Sequence, residues 1–143
     1  DITDVDNDLI HGLLDDEGLS LNFDPQMFMV IPASPCSACL DRESLLFEKF
    51  AKTGLVKCQI LVPDYRLKDT RALFSRDLNL SINAYSLETL TDDYWRYSEK
   101  IIYFLSRGAD ISNIMITSKY SDISTEYYFE HLSKKLGDYT LNP

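Results

Sequence analysis

The sequence predicts an α/β domain: a three-layer sandwich in which a central mixed sheet of four to five strands carries helices on both faces. Three observations lead there. Residues 27–31 form an uninterrupted apolar run, the pattern of a strand buried on both sides within a parallel sheet. An amphipathic stretch follows at once and leads to a second strand, the order of a β-α-β unit. Near the end of the chain, two runs rich in β-branched and aromatic residues flank Gly108 as the strands of a hairpin do.

The elements can be justified in order. Residues 1–24 carry Asp1, Asp4, Asp6, Asp8, Asp15, Asp16, Glu17 and Asp24 with no Lys or Arg, and are read as an acidic N-terminal arm ahead of a domain over residues 25–143. Pro32 ends the first strand, and Ala33, Ser34 and Pro35 form a loop before the next helix. Leu40, Leu45, Leu46, Phe47 and Phe50 give that helix a wide apolar stripe, and Gly54 is placed to end it. Residues 55–62 read as a second strand, with Val56, Cys58, Ile60 and Val62 alternating with Lys57, Gln59 and Leu61. Asp64 is placed to cap a helix carrying Leu67, Leu73 and Phe74. A short strand is expected within residues 78–87, and a short helix or turn capped by Thr91 or Asp92. Residues 101–105 and 111–117 form the expected hairpin, although Tyr94, Tyr97, Ile101, Phe104 and Leu105 also fit a helical stripe. Ser124 or Thr125 then opens a terminal helix whose buried side is Tyr128, Phe129, Leu132 and Leu136.

Composition narrows the function. A chain of 143 residues, 45% hydrophobic, supports one well-buried core and not two ordinary ones. Its net charge of −9 repels phosphate backbones and anionic lipid surfaces, so neither nucleic acid nor a membrane surface is an expected partner. No stretch approaches the roughly 18 consecutive apolar residues that span a bilayer. The chain begins at Asp1, which is read as a trimmed or mature start, compatible with removal of a signal segment or lipid anchor.

The chemistry concentrates at Cys36 and Cys39, the ends of a Cys-Ser-Ala-Cys motif between the first strand and its helix. At the first turn of a helix a thiolate faces unpaired backbone N–H groups and the positive end of the helix dipole, which lowers its pKa from about 8.5. Cys36 is therefore the candidate nucleophile. Cys39, one turn along, is the candidate resolving thiol that closes a small disulfide ring with it. Zinc would need four nitrogen or sulfur ligands, and besides the pair the chain offers only Cys58, His11 and His131, so no metal is expected. Cys58 alternates inward on a strand and is read as an inert core thiol. The competing reading of the pair is a disulfide that never turns over.

The order strand, CxxC, helix, strand, helix, strand, hairpin, helix over residues 27–137 resembles the thioredoxin fold. More closely, the motif over residues 34–39, the hairpin over 101–117 and the helix opening near Thr125 resemble the redoxin-like lipoproteins of bacterial envelopes, especially in Bacteroidetes. The resemblance implies a thiol–disulfide oxidoreductase of the periplasm or cell envelope, acting on protein thiols or disulfides without a cofactor. Cys36 matches the family's attacking thiol and Cys39 its resolving thiol. Pro35, Ser37 and Ala38 stand where the family has an aromatic residue before the first Cys and Gly-Pro between the two, and are the implied substrate contacts. Two departures are plain. The family's cis-proline should fall near residues 98–101, yet no proline occurs between Pro63 and Pro143, and residues 27–31 include no acid to match the family's buried one. A non-catalytic binding or accessory module with a structural disulfide is therefore the alternative.

Overall fold

The structure, a computed structural model, describes residues 24–74, 79–85, 99–108, 110–117 and 122–141, without the side chains of 122–123 and 138–141. Nearly all of the acidic arm, His11 and the element expected near Asp92 lie outside these residues. Five strands make one sheet: β1 (Gln26–Val30), β2 (Lys57–Pro63), β3 (Leu80–Tyr85), β4 (Ile102–Arg107) and β5 (Asp110–Ile116). Their order is β3-β2-β1-β4-β5. β1 runs parallel to β2, and β2 to β3, while β4 is antiparallel to β1 and β5 to β4. The α/β class and the central mixed sheet are those the sequence predicts, and residues 101–105 are strand apart from the first of them, not helix.

β1 is central because every one of its five residues is apolar or neutral and buried. Met27, Met29 and Ile31 point to one face with Cys58, Ile60 and Val62 of β2 and Tyr103 and Leu105 of β4. Three helices cover that face: α1 (Ser37–Ala51), α2 (Leu67–Leu73) and α3 (Asp122–Leu141). Successive crossovers from β1 to β2 to β3 step in one direction, and right-handed connections then put α1 and α2 on the same side. The side chains agree, since Phe47 and Phe50 of α1, Leu67 of α2, and Phe129, Leu132 and Leu136 of α3 all join this one cluster.

An aromatic group ties α1 to α3 over β4. The Phe129 ring lies 5.0 Å from both Phe50 and Tyr103 and 6.0 Å from Phe47. The second face carries no helix among the described residues, yet Phe28, Leu61 and Phe104 are inaccessible there. Phe28 and Phe104 are register partners and stack at 4.9 Å. Beside them Gln26, Gln59 and Asn83 form a hydrogen-bonded row across β1, β2 and β3.

Local chemistry sets the ends of the elements. α1 gives way at Lys52, and Gly54 takes a left-handed φ of +68°, open to glycine at no steric cost. Gly108, at φ +59°, turns the hairpin between Arg107 and Asp110. Asn113 also has positive φ, +53°, beside an irregularity in the β4–β5 pairing, and accepts from Lys135 of α3 at 3.2 Å.

Three expectations need correction. Asp64 does not cap a helix, because the chain first makes one 3-10 turn, Asp64–Arg66, that lets Tyr65 reach back to the loop after β1. Leu45 does not face the core but is 70% exposed, on the outer side of α1. The terminal helix starts at Asp122, not at Ser124 or Thr125, and the Thr125 hydroxyl is turned inward to another partner.

Phe129 is the common member of this aromatic group, so Phe129→Ala is expected to cost about 3–5 kcal/mol by lost transfer energy and cavity formation. Urea titration reads it directly, and Phe129→Leu, which keeps most of the volume, should lose less than half as much.

Candidate active site

β1 ends at Val30 and hands the chain to a loop in which Pro32 and Pro35 fix φ and offer no N–H. Cys36 follows as the N-cap of α1, extended at φ −64° and ψ 129°, and its Sγ accepts the Cys39 backbone N–H at 3.1 Å. Its own carbonyl starts the helical ladder by accepting from Leu40 at 2.9 Å. A cysteine sulfur thus does the work usually left to the oxygen of Ser or Asp at a helix start. Cys36 and Cys39 form a disulfide, with Cα atoms 5.1 Å apart. Cys36, Ser37 and Ala38 are exposed, and Pro35 and Cys39 half-buried. The residues singled out from the sequence therefore lie together, with Cys36 the more exposed of the two cysteines.

Three further elements reach this end of the sheet. Tyr65 donates to the Ala33 carbonyl at 2.7 Å, and Tyr85 to the Ile31 carbonyl at 2.6 Å. Val30 pairs with Ile102, which places Ile101 level with the loop leading to Cys36. Among the described residues no peptide bond is cis. Ile101 is instead tied to Thr117: its N–H donates to the Thr117 hydroxyl at 3.0 Å, and its carbonyl accepts from the Thr117 hydroxyl and N–H, both at 2.9 Å.

Beneath the motif lies a buried acid. Glu43, one helical turn beyond Cys39, is fully inaccessible. Its Oε1 accepts from the Thr125 hydroxyl at 2.8 Å and lies 3.8 Å from Arg42 Nη2, and its Oε2 accepts a longer bond of 3.3 Å from the Tyr103 hydroxyl. Burial first, and then the facing Glu43 carboxylate, hold the Tyr103 phenol well above its ordinary 10.0, so it remains a donor. The sequence did hold a signal for Glu43. Leu40, Glu43, Phe47 and Phe50 have the spacing of a single helical stripe, and a carboxylate on it must be buried or break it. Nothing periodic marks Tyr65.

Cys58 stands apart from this chemistry. It pairs with Met27 near the start of β1, at the opposite end of the strand from Cys36, and donates weakly to the Val56 carbonyl at 3.6 Å. Burial pushes its thiol up from an ordinary 9.0 to about 12. No group of three or more His, Cys, Asp or Glu among the described residues could hold a metal ion, and no described helix is long and apolar enough to cross a membrane. Searches of protein-family models, curated proteins and solved structures return no match to this chain.

Two predictions follow from these buried groups. Glu43→Ala would strand the Thr125 and Tyr103 hydroxyls and should cost about 3–5 kcal/mol in urea titration, whereas Glu43→Gln, which keeps shape and an acceptor, should cost about 1–2 kcal/mol. Cys58 gives a pH dependence. The unfolded thiol ionises near 9.0 and the folded one only near 12, so the unfolded state loses its proton first and stability falls as pH rises through that window. The slope from one such group approaches about 1.4 kcal/mol per pH unit, and the stability of Cys58→Ala should fall less steeply between pH 9 and 11 by that amount.

Proposed function

We propose that the chain is a thiol–disulfide oxidoreductase with a thioredoxin-like arrangement, working outside the cytoplasm in the bacterial cell envelope on protein thiols or disulfides. The observation that carries this reading is the Cys36–Cys39 disulfide at the start of α1, with Cys36 exposed and its sulfur accepting a helix N–H. In the reduced protein that N–H and the helix dipole favour the thiolate of Cys36. The thiolate attacks one sulfur of a substrate disulfide, forms a mixed disulfide and releases the first substrate thiolate. Cys39, losing its proton, then attacks the Cys36 sulfur, releases the second substrate thiolate and closes the ring. Two electrons pass from the pair to the substrate, and the reverse sequence oxidises a substrate dithiol. Pro35, Ser37 and Ala38, beside Cys36, are the proposed substrate contacts. A disulfide-bonded pair suits an oxidising compartment.

A second reading has its own observation. The two backbone groups of Ile101 are both engaged by Thr117, so they offer no antiparallel bonds to a substrate chain beside the disulfide. That favours an accessory module in which the disulfide is structural.

Equilibration against a glutathione redox series separates the two. Under the oxidoreductase reading the pair exchanges within minutes at cellular potentials, Cys39→Ser traps mixed disulfides through Cys36, and Cys36→Ser abolishes exchange, all read by mass spectrometry. A disulfide that stays closed below about −300 mV supports the accessory module instead.

A further inference from the structure

The loop delivering Cys36 to its helix is held from outside by two phenols. Tyr85, the last residue of β3, donates to the carbonyl of Ile31, and Tyr65, in the turn after β2, donates to the carbonyl of Ala33. These are alternate carbonyls in the five residues between Val30 and Cys36. The Ile31 N–H is also engaged, with the Leu61 carbonyl at 2.8 Å, while Pro32 and Pro35 have no N–H to bond. The approach to the motif is therefore fixed by β2, by β3 and by its own prolines. Neither tyrosine lies on α1, so any influence on the sulfur passes through the loop.

We propose that Tyr65 and Tyr85 are positioning residues for the dithiol: by pinning Ala33 and Ile31 they hold Cys36 in the extended N-cap conformation in which its sulfur accepts the Cys39 N–H. The proposal rests on the oxidoreductase reading of the same pair. In the oxidised protein the disulfide itself restrains Cys36. On reduction that covalent restraint is gone, and the loop, with the Cys36 carbonyl's bond to Leu40, keeps the thiolate against the N–H and the positive end of α1. If the loop relaxes, the sulfur swings into water and its ordinary acidity returns. The geometry of the attacking atom is lost with it.

The two tyrosines differ in a way that makes the test clean. Tyr85 is 1% exposed, so removing its hydroxyl strands a buried carbonyl and lowers stability as well. Tyr65 is 57% exposed, and Tyr65→Phe keeps the ring while deleting the single bond to Ala33. Tyr127, 71% exposed on α3, gives a control tyrosine away from the loop.

The experiment is alkylation of the fully reduced chain with iodoacetamide from pH 5 to 10, with Cys36 labelling assigned by mass spectrometry. Tyr65→Phe is expected to move the Cys36 curve to higher pH by about half to one unit, and so to lower labelling at pH 7 by about 3–10-fold, since one unit is a tenfold change in thiolate fraction. Tyr127→Phe should leave the curve unchanged. A purely structural role for Tyr65 would lower the melting temperature without moving the curve, and that result overturns the proposal. A wild-type Cys36 that titrates at about 8.5 removes the oxidoreductase reading and the clamp with it. A depressed wild-type value that Tyr65→Phe leaves in place overturns the clamp alone.

Discussion

A carboxylate shut away from water has to be held by donors, and in this protein that requirement falls on Glu43. Its two oxygens collect a hydroxyl from α3, a hydroxyl from β4 and the flank of Arg42 on its own helix. α1 therefore cannot rotate about its axis without breaking contact with both neighbours. The rotation of α1 bears on which way Cys36 and Cys39 face, because Cys39 lies on the helix one turn before the anchor and Cys36 caps it. The aromatic cluster of Phe47, Phe50, Tyr103 and Phe129 supplies the non-directional share of the same docking, and Glu43 supplies the directional share.

The topology explains why the motif is reachable at all. Parallel strands deliver their connections to one end of the sheet, so the loops after β1 and β2 emerge side by side. Tyr65 can reach Ala33 for that reason, and β4 returns antiparallel to bring Ile101 to the same end. Near the exposed Cys36, the carbonyls of Ile31 and Ala33 and both backbone groups of Ile101 are committed to internal bonds.

Much of the architecture was legible in residue order. β1 announced itself by an unbroken apolar run, the β4–β5 hairpin by Gly108 between two β-rich segments, and the dithiol by its spacing. What escaped was polar and long-range. Glu43 went unremarked although it lies on the apolar stripe of α1, because its donors, Tyr103 and Thr125, lie 60 and 82 residues further along the chain. Asp64 looked like a cap because local propensity favours Asp there, but the turn was decided by a distant carbonyl at Ala33. Leu45 looked like core because leucine usually is, although α1 had no room for it on a stripe already filled by Leu40, Glu43, Phe47 and Phe50.

The row of Gln26, Gln59 and Asn83 carries a consequence for how the strands find one another. A strand as uniformly apolar as β1 would bury almost as much surface if it slid two residues along either neighbour, since the same faces would still meet oil. Amides do not tolerate that indifference. Displaced, the buried Gln26 and Gln59 would be left dry and unbonded, at a cost of about 1–3 kcal/mol apiece, and the half-buried Asn83 would lose its acceptor. These three side chains thus act as a proofreading device during assembly. They penalise the near-correct pairings that hydrophobic burial alone would accept, and those are the mispairings from which a chain with an apolar central strand would otherwise begin to aggregate.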